Sequence, residues 1–186
     1  MAVVLLVHGY DGSGQGHWQR WLFDELRRRQ VDVRFPELPE PLAPQKSAWV
    51  AALGDVVARA DEPVICICHS LGCWALDHLL AERGAQGINA ALMVAPPSPY
   101  LLFEPVDSFL PPPRRREAWA AIAPRSRLVG SDNDEFTSAE EFQQIARTLG
   151  IECTIVAGGG HINVDSGYGP WVLPLEWLRA QHVLNT

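Results

Sequence analysis

The chain reads as an α/β protein, a three-layer α/β/α sandwich around a mostly parallel sheet of about six strands. Short apolar runs rich in Val and Ile alternate with longer stretches of helical periodicity along the whole length. Several of these runs are apolar on both faces, as strands covered by helices on either side must be. No internal repeat or long linker divides the 186 residues, so one domain over residues 1–186 is expected.

The first strand is expected at residues 3–8, within "MAVVLLVHGY". Its apolar stretch runs only from Ala2 to Val7 with no basic residue ahead of it, too short for a signal segment or a membrane span. A glycine-rich turn leads to a helix at 17–30, a strand at 31–35 and a helix at 46–60. The third strand, 64–69, runs straight into a helix at 71–83, and a fourth strand follows at 90–95. Residues 96–113, "PPSPYLLFEPVDSFLPPP", carry seven prolines, which exclude a regular helix or a central strand. Because it follows a strand, this segment should lie over the carboxyl edge of the sheet, where such folds bind ligands. A helix at 114–121, a strand at 126–129, a helix at 138–150, a strand at 152–156 and a helix at 170–182 complete the chain. Thr137 or Ser138 suits the N-cap of the fifth helix, and Gly150 suits its end.

The balance of 15 basic and 22 acidic residues gives a net charge of −7. That field repels nucleic acid and anionic membranes, so neither is an expected partner. The run Arg114-Arg115-Arg116 is read as the solvated start of a helix rather than a phosphate site. With no apolar stretch of about 18 residues to span a bilayer, a cytoplasmic location is expected. There the four cysteines should be reduced thiols. No His/Cys/Asp cluster has zinc spacing, so neither metal nor other cofactor is expected.

One stretch, "VICICHSLGCWAL", concentrates reactive side chains: Cys66, Cys68, His69, Ser70 and Cys73. Cys66 and Cys68 lie two apart on a strand, not at the Cys-x-x-Cys spacing of redox or zinc sites, and are read as buried thiols. Cys73, in the first turn of the following helix, is read as packed too. Ser70 sits between strand and helix, on a turn so abrupt that it strains the backbone and lifts the hydroxyl above the sheet. The usual pattern is Gly-x-Ser-x-Gly. Here it reads Cys68-His69-Ser70-Leu71-Gly72, with a small cysteine in place of the first glycine.

A serine nucleophile needs a base, and the base needs a carboxylate to fix its tautomer. "AGGGHIN" places His161 after the last strand on a glycine-rich loop, and "VGSDNDEF" places Asp132 and Asp134 after the fifth. The order Ser, Asp, His, each following its own strand, is that of the α/β-hydrolase triad. The loop after the first strand can offer the Tyr10 N–H as one oxyanion donor, with the Leu71 N–H as the other. Gly9 and Gly14 have phosphate-loop spacing, but Gln15-Gly16 stands where Lys and Ser/Thr are required, which argues against nucleotide binding.

On "VHGYDGSGQGHWQRWL", "CHSLG", "GSDNDEF" and "GGGHIN" the chain resembles the small serine-hydrolase family of α/β-hydrolases, which includes retinoblastoma-binding protein 9 and the bacterial YdeN-like proteins. The resemblance covers essentially the whole chain and departs at Cys68. It implies a compact α/β-hydrolase fold and a carboxylesterase-like serine hydrolase acting on small ester or amide substrates through an acyl-enzyme. Binding of the retinoblastoma protein does not carry over, since no Leu-x-Cys-x-Glu string is present. The resemblance aligns Asp134 with the acid, so Ser70, His161 and Asp134 form the expected triad, while Asp132 is expected to bond its own backbone and shape the turn. Expected substrate-lining residues are His69, Tyr100, Phe103, Phe136 and Ile162. Tyr100, Leu101, Phe103 and Phe109 of the proline-rich segment either line an acyl pocket or form a hydrophobic cover. His8 is expected to support the oxyanion loop, and Trp18 and Trp21 to pack in the core. The rival reading is a binding or scaffold protein that keeps the fold without catalysis.

Overall fold

Six strands form one parallel sheet in the order β2-β1-β3-β4-β5-β6. The computed structural model describes residues 2–184; the ends of the expected 1–186 domain, residues 1, 185 and 186, lie outside the described residues. The strands are β1 (Val3–Val7), β2 (Val33–Arg34), β3 (Val64–His69), β4 (Ile88–Val94), β5 (Arg127–Ser131) and β6 (Glu152–Val156). The helices are α1 (Trp18–Arg28), α2 (Lys46–Ala58), α3 (Leu71–Arg83), α4 (Arg116–Trp119), α5 (Ala139–Leu149) and α6 (Leu173–Ala180).

Alternate residues of the central strands feed two separate apolar layers, as the two-residue period of a strand requires. Val4, Leu6, Ile65, Ile67, Leu92 and Val94 pack with Trp18 and Leu22 of α1 and Leu178 of α6. Val3, Leu5, Cys66, Cys68, Ala91 and Met93 pack with Trp49 and Leu53 of α2, Trp74 of α3 and Phe142 of α5. Both faces of the sheet are therefore covered, which is why these strands read as continuous apolar runs.

Several expected elements are shorter in the fold. The edge strand β2 keeps two residues, because the Val31 N–H closes the end of α1 on the Leu26 carbonyl and Pro36 has no N–H to extend a ladder. The helix expected at 114–121 shrinks to α4 because Arg114 has φ +46 and donates its N–H to Asp77 Oδ2. The last helix starts only at Leu173 and ends before His182, which has φ +60. Within the proline-rich segment, Glu104–Phe109 forms a 3-10 turn opened by Pro105, which needs no N–H there. In α5, Ser138 and Glu141 exchange side-chain and backbone bonds in a capping box, and Gly150 ends the helix with φ +76.

Order along the chain reverses between β1 and β3, and their carboxyl ends lie side by side, with Val7 paired to Cys68. Such a switch point leaves a crevice above the strand ends. A Cβ on Gly9 would stand 2.7 Å from the Ser70 Cβ, so only glycine lets the first loop come this close to the elbow. Gly72 allows α3 to sit against β1, because a Cβ there would lie 2.5 Å from the His8 carbonyl. None of the helices among the described residues is long and apolar enough to cross a membrane.

Candidate active site

Ser70 occupies the point where β3 becomes α3, with φ 52 and ψ −126. This conformation is costly for a residue with a Cβ and survives only where the surroundings enforce it. Its N–H donates to the Val94 carbonyl at 2.9 Å, and its carbonyl accepts from the Cys73 N–H at 3.0 Å. The hydroxyl is left free to face the crevice. His161 Nε2 lies 2.9 Å from Ser70 Oγ, and His161 Nδ1 lies 2.9 Å from Asp134 Oδ2. A carboxylate only accepts, so Nδ1 carries the proton and Nε2 is left to accept from the serine. The Asp134 side chain is fully buried, and its Oδ1 accepts the Phe136 N–H at 2.8 Å.

His161 stands on a loop outside any helix or strand, where Gly158 and Gly160 take the left-handed φ values +65 and +54. Side chains from other elements hold that loop. Asp132 Oδ1 accepts the Gly158 N–H at 2.7 Å, and Asn133 Oδ1 accepts the Gly160 N–H at 2.7 Å. Trp18 Nε1–H donates to the Ile162 carbonyl at 2.8 Å. The expectation that Asp132 bonds its own backbone is corrected. It reaches across to the base loop, while Asp134 makes the local turn bond to Phe136.

Ser70 opens into a cavity of about 430 Å³. Of the residues expected to line a substrate site, His69, Phe103 and Phe136 lie on its wall, beside Tyr10, Leu71 and His161. Phe136 meets His161 edge-on with ring centroids 4.7 Å apart, and Tyr10 meets Phe103 in the same way at 5.1 Å. Leu71 begins α3, so its N–H has no partner within the helix.

Two expected lining residues are elsewhere. Tyr100 points to solvent, 73% exposed, with the Arg114 guanidinium over its ring. Ile162 is fully buried because its φ of +50 turns the side chain down into the layer under α1 and α6. Phe109 is also core: it packs on Trp49, and its carbonyl lies 2.9 Å from His78 Nε2. Pro97, Leu101 and Val106 complete the apolar wall, and Asp11, Asn163 and Asp165 a polar one. Of these, only Leu101 stands out in the sequence; the others could be guessed from their place on loops that follow strands β1, β4 and β6.

Burial holds the histidines and cysteines packed beneath the site toward their neutral forms. His8 Nε2 accepts the Leu38 N–H at 3.1 Å, so its proton sits on Nδ1 and bonds the Gly9 carbonyl at 2.8 Å. Burial, more than any neighbour, holds its pKa below the usual imidazole value. Burial and the nearby His161 and His8 bring His17 down to about 4. His17 caps α1 by accepting the Gln19 N–H on Nδ1. All four cysteines are free thiols. Burial pushes Cys66 up to about 12 and raises Cys68 and Cys73 as well, so none is a ready thiolate. Among the described residues no group of three or more His, Cys, Asp or Glu could hold a metal ion.

The chain is 26% identical over 169 residues to YdeN of Bacillus subtilis (strain 168), spanning 89% of this chain and 88% of that protein. The crystal structure of that protein matches with a TM-score of 0.82 at 23% identity, covering 98% of each chain. A YdeN-like hydrolase from Pectobacterium atrosepticum matches with a TM-score of 0.75 at 25% identity, over 100% of this chain and 94% of its own. An esterase domain from a Rhodothermus marinus protein shares the fold alone, with a TM-score of 0.70 at 14% identity over 97% and 87% of the two chains. A family model for serine hydrolases matches residues 4–180, and the chain belongs to that family.

Proposed function

We propose that this serine hydrolase cleaves small carboxylic esters, and amides with good leaving groups, through an acyl-enzyme on Ser70. The observation that carries the reading is the unbroken chain from Ser70 Oγ to His161 Nε2 and from His161 Nδ1 to Asp134 Oδ2, each link 2.9 Å. Ser70 attacks the acyl carbon while His161 takes its proton. The negative charge that develops on the carbonyl oxygen is held by the N–H groups of Tyr10 and Leu71, donors fixed before reaction. His161 then protonates the departing alcohol or amine, and a water activated by the same imidazole releases the acid. Asp134 keeps the imidazole in the required tautomer and stabilises its charged form.

The cavity supports the choice of substrate. Pro97, Leu101, Phe103 and Val106 form an apolar wall suited to a short acyl chain. Among the described residues no Lys or Arg lines the cavity, whereas Asp11 and Asp165 do. The segment over the site is pinned rather than hinged: Trp74 Nε1 donates to the Pro97 carbonyl, Thr137 Oγ1 to the Pro96 carbonyl, and the Ser98 N–H to the Phe136 carbonyl. Small uncharged or cationic esters fit this site better than long-chain lipids or carboxylate-bearing substrates. The esterase domain from Rhodothermus marinus, similar in fold, agrees with ester chemistry.

Incubation with a fluorophosphonate, read by intact mass and peptide mapping, tests the reading alongside turnover of a short-chain ester. One adduct on Ser70 is expected, and Ser70→Ala should abolish both labelling and turnover while the fold persists. A folded Ser70→Ala protein that still labels and turns over fully would overturn it. A folded parent chain that neither labels nor turns over any ester would instead favour the non-catalytic rival.

A further inference from the structure

We infer that His69 is a positioning residue that holds the base by its main chain, so that two consecutive elbow residues grip His161 at both ends. Ser70 Oγ bonds the imidazole at Nε2, and His69 Nε2 lies 3.0 Å from the carbonyl oxygen of the same residue. This inference rests on the reading of His161 as the base and goes beyond it, since the alignment of motifs makes His69 no more than a neighbour of the nucleophile.

A carbonyl oxygen can only accept, so His69 Nε2 carries the proton and donates it. The ring is 4% exposed and lies between two other imidazoles, meeting His17 edge-on with centroids 4.9 Å apart and His161 at a tilt of 54° with centroids 5.1 Å apart. Trp18 closes a further side edge-on, at 5.9 Å. Packed on these sides, the donor has little freedom to turn away. Burial first, and the neighbouring His161 and His17 second, hold the His69 pKa well below the usual imidazole value. The ring therefore remains a neutral donor while His161 gains its proton.

The bond matters because the base loop lacks regular structure of its own. The His161 N–H donates to Ser166 Oγ at 3.1 Å, and a Cβ on Gly160 would collide with that same serine. With His69 on the carbonyl, both main-chain polar groups of His161 are satisfied by side chains. The imidazole is then the only part of the residue left to move between Asp134 and Ser70. Releasing the carbonyl lets the base drift from a geometry in which displacements of about 1 Å can cost on the order of 100-fold in rate.

Glutamine can place an amide N–H near the position of an imidazole Nε2–H, whereas methionine of equal length and phenylalanine of similar shape cannot. With a short-chain neutral ester, His69→Met and His69→Phe should lose about 10- to 100-fold in kcat with KM changed less than about twofold. His69→Gln should return to within about threefold of the parent kcat. Circular dichroism and thermal melting follow folding of each variant, and either donor-less variant that folds suffices for the comparison with glutamine. Parental kcat in a folded Met or Phe variant would overturn the inference. So would a glutamine variant as impaired as methionine, or a loss carried by KM alone. If neither donor-less variant folds, His69 is a structural residue and the inference falls. Turnover by the parent chain and its abolition in Ser70→Ala are measured beside these, so failure of the nucleophile assignment is read separately.

Discussion

Asp132 and Asp134, on either side of Asn133, grip the same loop at two points: Asp132 Oδ1 accepts the Gly158 N–H at 2.7 Å, and Asp134 Oδ2 meets His161 Nδ1 at 2.9 Å. The first bond fixes where the loop begins, and the second fixes the imidazole it presents. Because the partners differ, substitutions should separate them.

Asp134→Asn leaves the shape of the site intact but offers His161 a neutral amide in place of a carboxylate. It should lower kcat by about 10⁴-fold, the size of effect expected when the base loses its tautomer and its charge partner. Asp132→Asn keeps an oxygen for the Gly158 N–H and should cost less than about threefold, whereas Asp132→Ala removes it and should cost about tenfold. The measurement is kcat on purified variants with matched melting curves. An Asp132→Asn enzyme more impaired than Asp134→Asn would reverse the assignment of the acid.

The buried histidines predict that acid weakens the fold before carboxylates titrate. His17 is held down to about 4 by burial and its neighbours, and His8 and His69 are shifted the same way. Below pH of about 6.5, histidines of the unfolded chain bind protons that the native state refuses. Stability therefore falls as pH drops from about 6.5 to about 4, by about 3 kcal/mol for His17 alone. Asp77 works in the opposite sense. Its burial raises the carboxyl above the usual value, so it binds a proton more readily in the native state and offsets part of the loss. Urea midpoints should decline between pH 7 and pH 4.5. His17→Asn, which can still cap α1, should make that decline shallower. A midpoint that stays flat over this range, or an unchanged slope in the asparagine variant, would remove the histidines from the account.

Much of this molecule can be read from its sequence where local and tertiary signals agree. β3, the elbow and α3 begin and end where expected, because Ser70 and Gly72 leave a strand only one way to become a helix there. The two-face apolar pattern of Cys66 and Cys68 beside Ile65 and Ile67 carries the sheet and its cover. What the sequence hides is set by the backbone at single positions or by partners far along the chain. Ile162 looks like a neighbour of the base, yet a positive φ turns it into the core. Tyr100 looks like a pocket residue until Arg114, fourteen positions on by number, takes its ring face at 5.8 Å. His69 and the His161 carbonyl are 92 residues apart, and no periodicity joins them. Asp11 and Asp165 share the cavity because loops after β1 and β6 meet above the sheet, which neither loop encodes alone.

That meeting of loops makes substrate charge the most direct probe of the cavity. Asp11 and Asp165 both line it and both are exposed, while among the described residues no Lys or Arg of the lining balances them. The net charge of −7 adds a long-range field of the same sign. Three butyrate esters of similar size isolate the effect: a choline ester, its uncharged 3,3-dimethylbutyl counterpart, and an ester of glycolate bearing a free carboxylate. At low salt, kcat/KM should rank cation above neutral above anion, with the extremes separated by about five- to tenfold. Raising the ionic strength to about 0.5 M shortens the screening length to a few ångströms and should collapse the ranking. Asp11→Asn combined with Asp165→Asn should flatten it at low salt without abolishing turnover of the neutral ester. A ranking that persists unchanged in high salt and in the double variant would mean that shape, not charge, selects the substrate.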